Sequence, residues 1–319
     1  MSEAPARVSV IIPARNSGAR IGTTVRAALD QDVPNVEVEV IVVDDGSVDD
    51  TVQVARAAGA RTISLPSHHS SGNPGAARNR GAGEASGDPL IFIDDDCTPA
   101  RGWLEALLAA HAAGAVCVGG SLALPGGLSY SARLDYYCGW YHVHPRRPPG
   151  IVPNHPPGNI SVRRAAFLGT AGFTERQPVA YSHEELRWQA ELQRDGGSIV
   201  FEPRALVYHW NRPGFGNLLR RNYRWAYSAI ESKAESSIVR LAWLYRFPRT
   251  LVAAAFPLAL LQTVYITGCW VRAGVLEPLL HLPGILAARL AYAAGMTVGG
   301  LRWLRRREHG GAPAEPRWS

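Results

Sequence analysis

Residues 90–96 read Leu90-Ile91-Phe92-Ile93-Asp94-Asp95-Asp96, four apolar residues that run straight into three carboxylates. A short apolar run of this kind predicts a buried strand. Two similar runs precede it. Residues 8–12 are β-branched apart from Ser9 and stopped by Pro13, and residues 38–43 end at Asp44-Asp45-Gly46. Between them, residues 18–29 place Ile21, Val25, Ala28 and Leu29 at helical spacing. Residues 51–58 predict a second helix and 61–65 a short strand. Strands alternating with helices imply βαβ units and a mostly parallel, Rossmann-like α/β sheet. Such sheets bind ligands beyond the carboxyl ends of their strands, and both acidic clusters fall at such ends.

Three adjacent carboxylates repel one another unless a cation sits among them or some take up protons. On an extended chain alternate residues project the same way, so Asp94 and Asp96 are expected to converge while Asp95 points aside. Two converging carboxylates suit a hard cation, Mg²⁺ or Mn²⁺, which prefers substrate phosphates as further ligands. At the preceding strand end, Asp44 and Asp45 can accept hydrogen bonds from a nucleobase or a ribose. Gly46 supplies the turn there, and Ser47 or Asp49 is placed to cap the next helix. Arg78, in Gly75-Ala76-Ala77-Arg78-Asn79, offers a planar fork to a phosphate or a base.

Further along, residues 103–113 predict a helix. Residues 125–158, rich in Pro, Gly, Tyr and His, read as a long functional loop facing an acceptor. Regular structure resumes at 165–167, followed by a helix at 184–193 and strands at 198–201 and 205–208. Residues 250–270 contain no charged residue and have the roughly 20-residue length of a membrane helix. A second apolar run, 278–304, contains His281, Pro283 and Arg289, so it either spans or lies in the interface. Arg246 and Arg249 precede the pair and Arg305, Arg306 and Arg307 follow it, which fits a hairpin with both ends cytoplasmic. A buried helical pair in a soluble domain is the alternative.

The net charge of +6 over 319 residues gathers late in the chain, beside these apolar runs, which favours a membrane surface over nucleic acid. Cys97, Cys117, Cys138 and Cys269 show no metal-ligand spacing and read as free thiols in a reducing compartment. No apolar leader opens the sequence. The expected placement is the inner, cytoplasmic membrane with the catalytic part facing the cytoplasm.

Taken in order, Val10-Ile11-Ile12-Pro13-Ala14-Arg15-Asn16, Val42-Val43-Asp44-Asp45-Gly46-Ser47, Gly75-Ala76-Ala77-Arg78-Asn79 and Phe92-Ile93-Asp94-Asp95-Asp96 resemble the family-2 glycosyltransferases over residues 8–209. The resemblance implies a GT-A fold, with a nucleotide-sugar half (1–115), an acceptor half (116–235) and a helical membrane-associated region (236–319). It implies that Asp44 or Asp45 binds the base, usually uracil, and that Arg78 supports the nucleotide. Asp94 and Asp96 would hold the metal that neutralises the diphosphate. Pro13, Arg15, Asp95 and Asn159 join the substrate-binding set, and His209 is a further candidate at the metal. Ser182-His183-Glu184-Glu185-Leu186 stands where the family usually has Glu-Asp. Aligned on the following strand, Glu185 takes the place of the catalytic base, with Glu184 or His183 as alternatives. Arg221-x-x-Arg224-Trp225 is similar to the Gln-x-x-Arg-Trp of processive members, with Trp225 as the acceptor platform and Arg in place of Gln.

The expected reaction moves a sugar from a nucleoside-diphosphate sugar, a UDP-sugar by the resemblance, to a hydroxyl of a glycan or lipid-linked acceptor, with inversion. The rivals are a nucleotidyltransferase, which needs a Gly-rich, Lys-containing phosphate loop where Pro13-Ala14-Arg15-Asn16 stands, and a membrane-anchored protein that binds nucleotide-sugar or glycan without turnover.

Overall fold

The computed structural model of the protein describes residues 6–66, 74–175, 183–234, 236–239 and 242–309. Ser182 of the expected base motif lies outside them. The chain divides into two compact units, one taking residues up to 123, 143–175 and 184–209, the other 124–142, His183 and the chain from 210. The expected segments 1–115, 116–235 and 236–319 are functional divisions that compactness cuts differently.

The first unit opens with β1 (Ala6–Ala14), α1 (Gly18–Leu29), β2 (Val36–Asp44), α2 (Thr51–Ala57), β3 (Arg61–Ser64), α3 (Pro74–Glu84) and β4 (Leu90–Ile93). There follow β5 (Cys97–Pro99), α4 (Trp103–Ala112) and β6 (Cys117–Ala123). After α5 (Tyr130–Gly139), which belongs to the second unit, come β7 (Gly150–Val152), β8 (Asn159–Val162), α6 (Arg164–Leu168), α7 (Leu186–Arg194) and β9 (Ile199–His209). The strands form one sheet in the order β3-β2-β1-β4-β8-β6-β9-β5, with β7 on β9. The contiguous block β3-β2-β1-β4 is parallel throughout, as the alternating pattern predicts. Ile11, Ile41, Val42, Ile91 and Phe92 are fully buried, which is why these strands read as continuous apolar runs. Parallel register then brings the carboxyl ends of β1, β2 and β4 to one edge: Ala14 lies opposite Asp44, and the Asp45 N–H donates to the Ala14 carbonyl at 2.9 Å.

Beyond β4 the sheet turns antiparallel through β8, which pairs with β4 and β6. Phe92 of β4 is ringed by Phe167 and Phe173, with centroids 5.2 and 5.0 Å away, and Trp188 of α7 packs on both. This aromatic cluster fixes the entry to α7 beside the end of β4. The two strands expected at 198–201 and 205–208 are one, β9, because Pro203 and a register shift against Gly120/Ser121 are absorbed within the pairing to β6.

The second unit is helical: α5, α8 (Phe215–Ala234), α9 (Pro248–Arg272) and α10 (Leu282–His309), with short 3-10 turns at Ala242–Arg246 and Glu277–His281. The expected loop 125–158 therefore needs correction. The Ser129 hydroxyl accepts from the Ala132 N–H and caps α5, and Leu134, Tyr136, Tyr137 and Cys138 are buried against Ile266, Trp270 and Ile285. The tyrosines that suggested a loop are core. Two helical stretches, Pro248–Arg272 and Glu277–Arg305, are long and apolar enough to cross a membrane by length and composition. All four cysteines are free thiols.

His111 of α4 is buried, with Nδ1 2.7 Å from the Ala115 carbonyl and Nε2 2.8 Å from the Ser161 hydroxyl. Burial pushes its pKa from 6.5 down to about 4. As pH falls, the unfolded imidazole takes up a proton first. The stability held by neutral His111 is thus complete above about pH 6.5 and is lost toward pH 4, on the order of 3 kcal/mol. Urea midpoints of the wild type should fall more between pH 7 and 5 than those of His111→Gln.

Candidate active site

The edge where β1, β2 and β4 end carries the acidic clusters. Asp94 and Asp96 do not converge by strand alternation. Residues 94–97 form a turn closed by the Cys97 N–H donating to the Asp94 carbonyl at 3.1 Å, after which the chain enters β5. The turn, and not an extended chain, folds the two carboxylates toward each other. Strand β5 pairs antiparallel with β9, with Cys97 opposite His209, so the imidazole comes to the same place. One ligand atom each from Asp94, Asp96, Cys97 and His209 all lie within 4.8 Å of one another. His209 Nε2 is 3.5 Å from Asp96 Oδ1.

This donor set fits a hard divalent cation. Two carboxylates and an imidazole supply oxygen and nitrogen, and atoms about 2 Å from a shared centre must be mutually close. Cys97 is the poor donor of the four: burial, reinforced by the Asp94 and Asp96 carboxylates, pushes its thiol well up and keeps it protonated. A cradle is also present. A Cβ at Gly158 would lie 2.7 Å from Asp94 Oδ2, so only glycine leaves that carboxylate oxygen room. Sequence reasoning gave neither Gly158 nor Cys97 a place at this cluster; the position of Cys97 directly after the aspartates was the signal for the latter.

The other Asp94 oxygen is engaged. Arg78 Nη2 donates to Asp94 Oδ1 at 2.6 Å, and its Nη1 donates to Glu184 Oε1 at 2.7 Å. Arg78 is only 2% exposed. The expected nucleotide contact is therefore replaced by a protein clamp: one guanidinium, presented by α3, joins the metal-side carboxylate to the residue before the expected base. Glu184 and Glu185 are both buried, and Glu185 stands at the N-terminal boundary of α7.

On β1 and β2 the donor-side residues fall together. Arg15 Nη1 lies 3.7 Å from Asp45 Oδ2. The Ser47 N–H donates to Asp44 Oδ1 at 3.1 Å, so Ser47 closes the turn after Asp44. The N-cap of α2 is Asp50 and not Ser47 or Asp49, although Asp49 Oδ1 accepts from the Thr51 N–H at 3.1 Å. Pro13 is a buried residue at the end of β1. Asp95 points aside as expected and accepts from the Ser17 hydroxyl, while its carbonyl accepts from Thr24 Oγ1 at 3.1 Å. It ties the turn to α1.

One more expected substrate contact needs correction. Asn159 is fully buried, and its polar atoms are spent inside the protein. Trp103 Nε1 donates to its oxygen at 2.9 Å, and its amide donates to the Ser121 and Ala205 carbonyls at 2.9 and 2.8 Å. It braces the sheet. Trp225 belongs to the helical unit, where Arg221 lies over its ring at 5.3 Å and pairs with Asp135. One face of the expected platform is thus already covered.

The family model for glycosyl transferase family 2 matches residues 9–168, half of the chain, including the ends of β1, β2 and β4 but not Glu184, Glu185 or His209. The chain belongs to that family. Among relatives of this family-2 enzyme, it is 29% identical to glycosyltransferase AglE of Haloferax volcanii, over 68% of this chain and 71% of that one. Two solved structures share the fold. Mannosyltransferase PcManGT from Pyrobaculum calidifontis, in complex with GDP-Man and Mn²⁺, aligns with a TM-score of 0.56 and 18% identity, over 95% of this chain and 90% of that one. Staphylococcus aureus TarS in complex with UDP-GlcNAc aligns with a TM-score of 0.54 and 18% identity, over 94% and 92%. The GT-A expectation holds, and the nucleotidyltransferase rival falls.

Gly158→Ala should leave the melting temperature nearly unchanged yet displace the Asp94 carboxylate, lowering sugar transfer by roughly 100-fold, the cost of a misplacement of about 1 Å. The protection against melting given by Mn²⁺ should fall with it.

Proposed function

We propose that this family-2 glycosyltransferase moves a sugar from a UDP-sugar to a hydroxyl of a lipid-linked or cell-envelope glycan, with inversion at the anomeric carbon. The observation that carries the reading is the convergence of Asp94, Asp96 and His209 at the carboxyl edge of a parallel sheet that also presents Asp44, Asp45 and Arg15. Residues 1–115 serve the donor in this reading, and 116–235 the acceptor. Asp94 Oδ2, Asp96 and His209 would hold Mg²⁺ or Mn²⁺, which when bound neutralises charge on a departing diphosphate. The presence of Mn²⁺ in PcManGT supports this choice of ion.

Asp44 and Asp45 accept hydrogen bonds from the base and ribose, and Arg15 stands beside them for a donor oxygen. Glu184 already spends Oε1 on the buried Arg78 guanidinium, which leaves Glu185 for the acceptor. Glu185 then takes the acceptor hydroxyl's proton as that oxygen attacks the anomeric carbon and the bond to the diphosphate breaks. Glu184 acts through Arg78 as a positioning residue that sets Asp94. The apolar lengths of α9 and α10 support membrane attachment, with the catalytic unit on the cytoplasmic side of the inner membrane.

Transfer of labelled sugar should fall by roughly two orders of magnitude or more in Asp96→Ala, and chelation should silence the wild type. Full activity of Asp96→Ala with metal chelated would overturn the scheme. Glu185→Gln should lower kcat by roughly 100-fold or more with the donor KM unchanged, and a thermal-shift screen of UDP- against GDP-sugars decides the donor. Donor binding without turnover under any acceptor would favour the non-catalytic reading.

A further inference from the structure

The helical unit holds two cations, Arg289 buried and Lys233 half-buried, that no carboxylate answers among the described residues. Arg289, within α10, is 8% exposed. Its Nη2 donates to Asn222 Oδ1, a neutral partner on α8, and its Nε is buried without one. Its guanidinium lies 5.0 Å from the centre of the Tyr292 ring. Near the end of α8, Lys233 Nζ donates to the Tyr292 hydroxyl at 3.4 Å and stands 5.5 Å from the Tyr245 ring centre. Tyr292 thus has one cation over its face and the other at its oxygen. Tyr141 lies in the field of both. Neither cation makes a salt bridge among the described residues, whereas Arg221 on the same helix α8 has its anion in Asp135.

Taking an unpaired ammonium or guanidinium out of water is costly. Contacts with aromatic faces return only part of that cost. The deficit is felt nearby: the His183 imidazole is driven well down, by burial first and by Lys233 second. An arrangement with this charge is completed by an anion. A guanidinium fork, an ammonium and a phenol hydroxyl together offer the donors that a tetrahedral oxyanion takes up.

We propose that Lys233, Arg289 and Tyr292 form a binding site for a phosphate ester, and that the ester is carried on a lipid. The lipid follows from the next layer outward. Tyr141 meets Tyr265 of α9 edge-on, at 5.9 Å between centroids. Tyr265 belongs to the exposed apolar face of α9, with Phe256, Leu260, Leu261 and Val264. A headgroup at the cations would leave its chain beside that face. This rests on the proposed lipid-linked acceptor and gives it a chemical handle.

The test uses the full chain in neutral detergent micelles doped with dodecyl phosphate or with dodecanol, reading thermal melting at fixed ionic strength. Dodecyl phosphate should raise the melting temperature and dodecanol should not. Arg289→Gln and Lys233→Gln should each weaken the apparent affinity for dodecyl phosphate at least 10-fold, while Arg305→Gln, at the exposed end of α10, responds as wild type. Arg289→Lys keeps the charge and should retain most of the response, which separates a lost site from a damaged fold. An equal response to dodecyl phosphate and dodecanol, or unchanged affinity in both Gln variants, would overturn the proposal. Protection by inorganic phosphate at the same concentration would overturn the lipid source. UDP-sugar with Mn²⁺ should still protect the variants; its failure to protect the wild type would count against the transferase reading and not against this site.

Discussion

A guanidinium that is 2% exposed must have anions, and in this chain the two that Arg78 finds are Asp94 and Glu184. The pair lies 90 residues apart in sequence, one at the end of β4 and the other at the entry to α7. Neither could be held so near the other without a cation between them. Removing Arg78 would leave two part-buried carboxylates in repulsion, and removing either carboxylate would leave a buried charge uncompensated. Around this clamp the rest of the site is stacked. Phe92, Phe173 and Trp188 pack β4 against α7 from below, and Arg78 itself lies 5.3 Å from the Phe173 ring centre. The charged and aromatic contacts fix the same two elements.

The clamp also divides the labour of the acidic groups. Asp94 gives one oxygen to Arg78 and turns the other toward the space that Gly158 keeps open. Asp96 faces His209, and Asp95 is taken by Ser17 on α1. The triplet that looks redundant in sequence is three residues with three partners.

The parallel half of the sheet was legible because its signal is local: apolar runs, helical spacing, and carboxylates at strand ends. The acidic cluster was legible in its aspartates, though for a reason the structure replaces, since a four-residue turn and not alternation brings them together. What was illegible depends on distant pairing. His209 was named for the site by the resemblance alone, and what carries it there is the pairing of β5, three residues long, with β9. Asn159 resembled a substrate contact because its type and place fit, yet Trp103, Ser121 and Ala205 consume its hydrogen bonds from three other segments. Arg78 looked like a nucleotide ligand because Glu184, its second anion, follows 106 residues later. Composition misled at α5, where buried tyrosines against Trp270 and Ile266 passed for a polar loop.

The helical unit limits how any apolar medium can meet it. Gly295 and Gly299 of α10 are four residues apart on one face, and a Cβ at either would lie 2.1 Å from a carbonyl oxygen of α8, at Tyr223 and Tyr227 respectively. Small residues at this spacing let two helix backbones approach closely. The face of α10 that bears them, along with Arg289, is therefore covered by α8, a helix carrying Arg220, Arg221, Arg224 and Lys233. Helix α9 covers another part of α10 through Leu251, Ala255 and Ala259 against Tyr292, Ala293 and Met296. The apolar length of α10 is thus answered in part by protein, and exposed apolar residues remain on α9, at Leu276, Leu279 and Leu280 before α10, and on α10 itself at Leu290, Val298 and Leu301. A helix with a cationic neighbour packed along it does not stand in lipid on all sides.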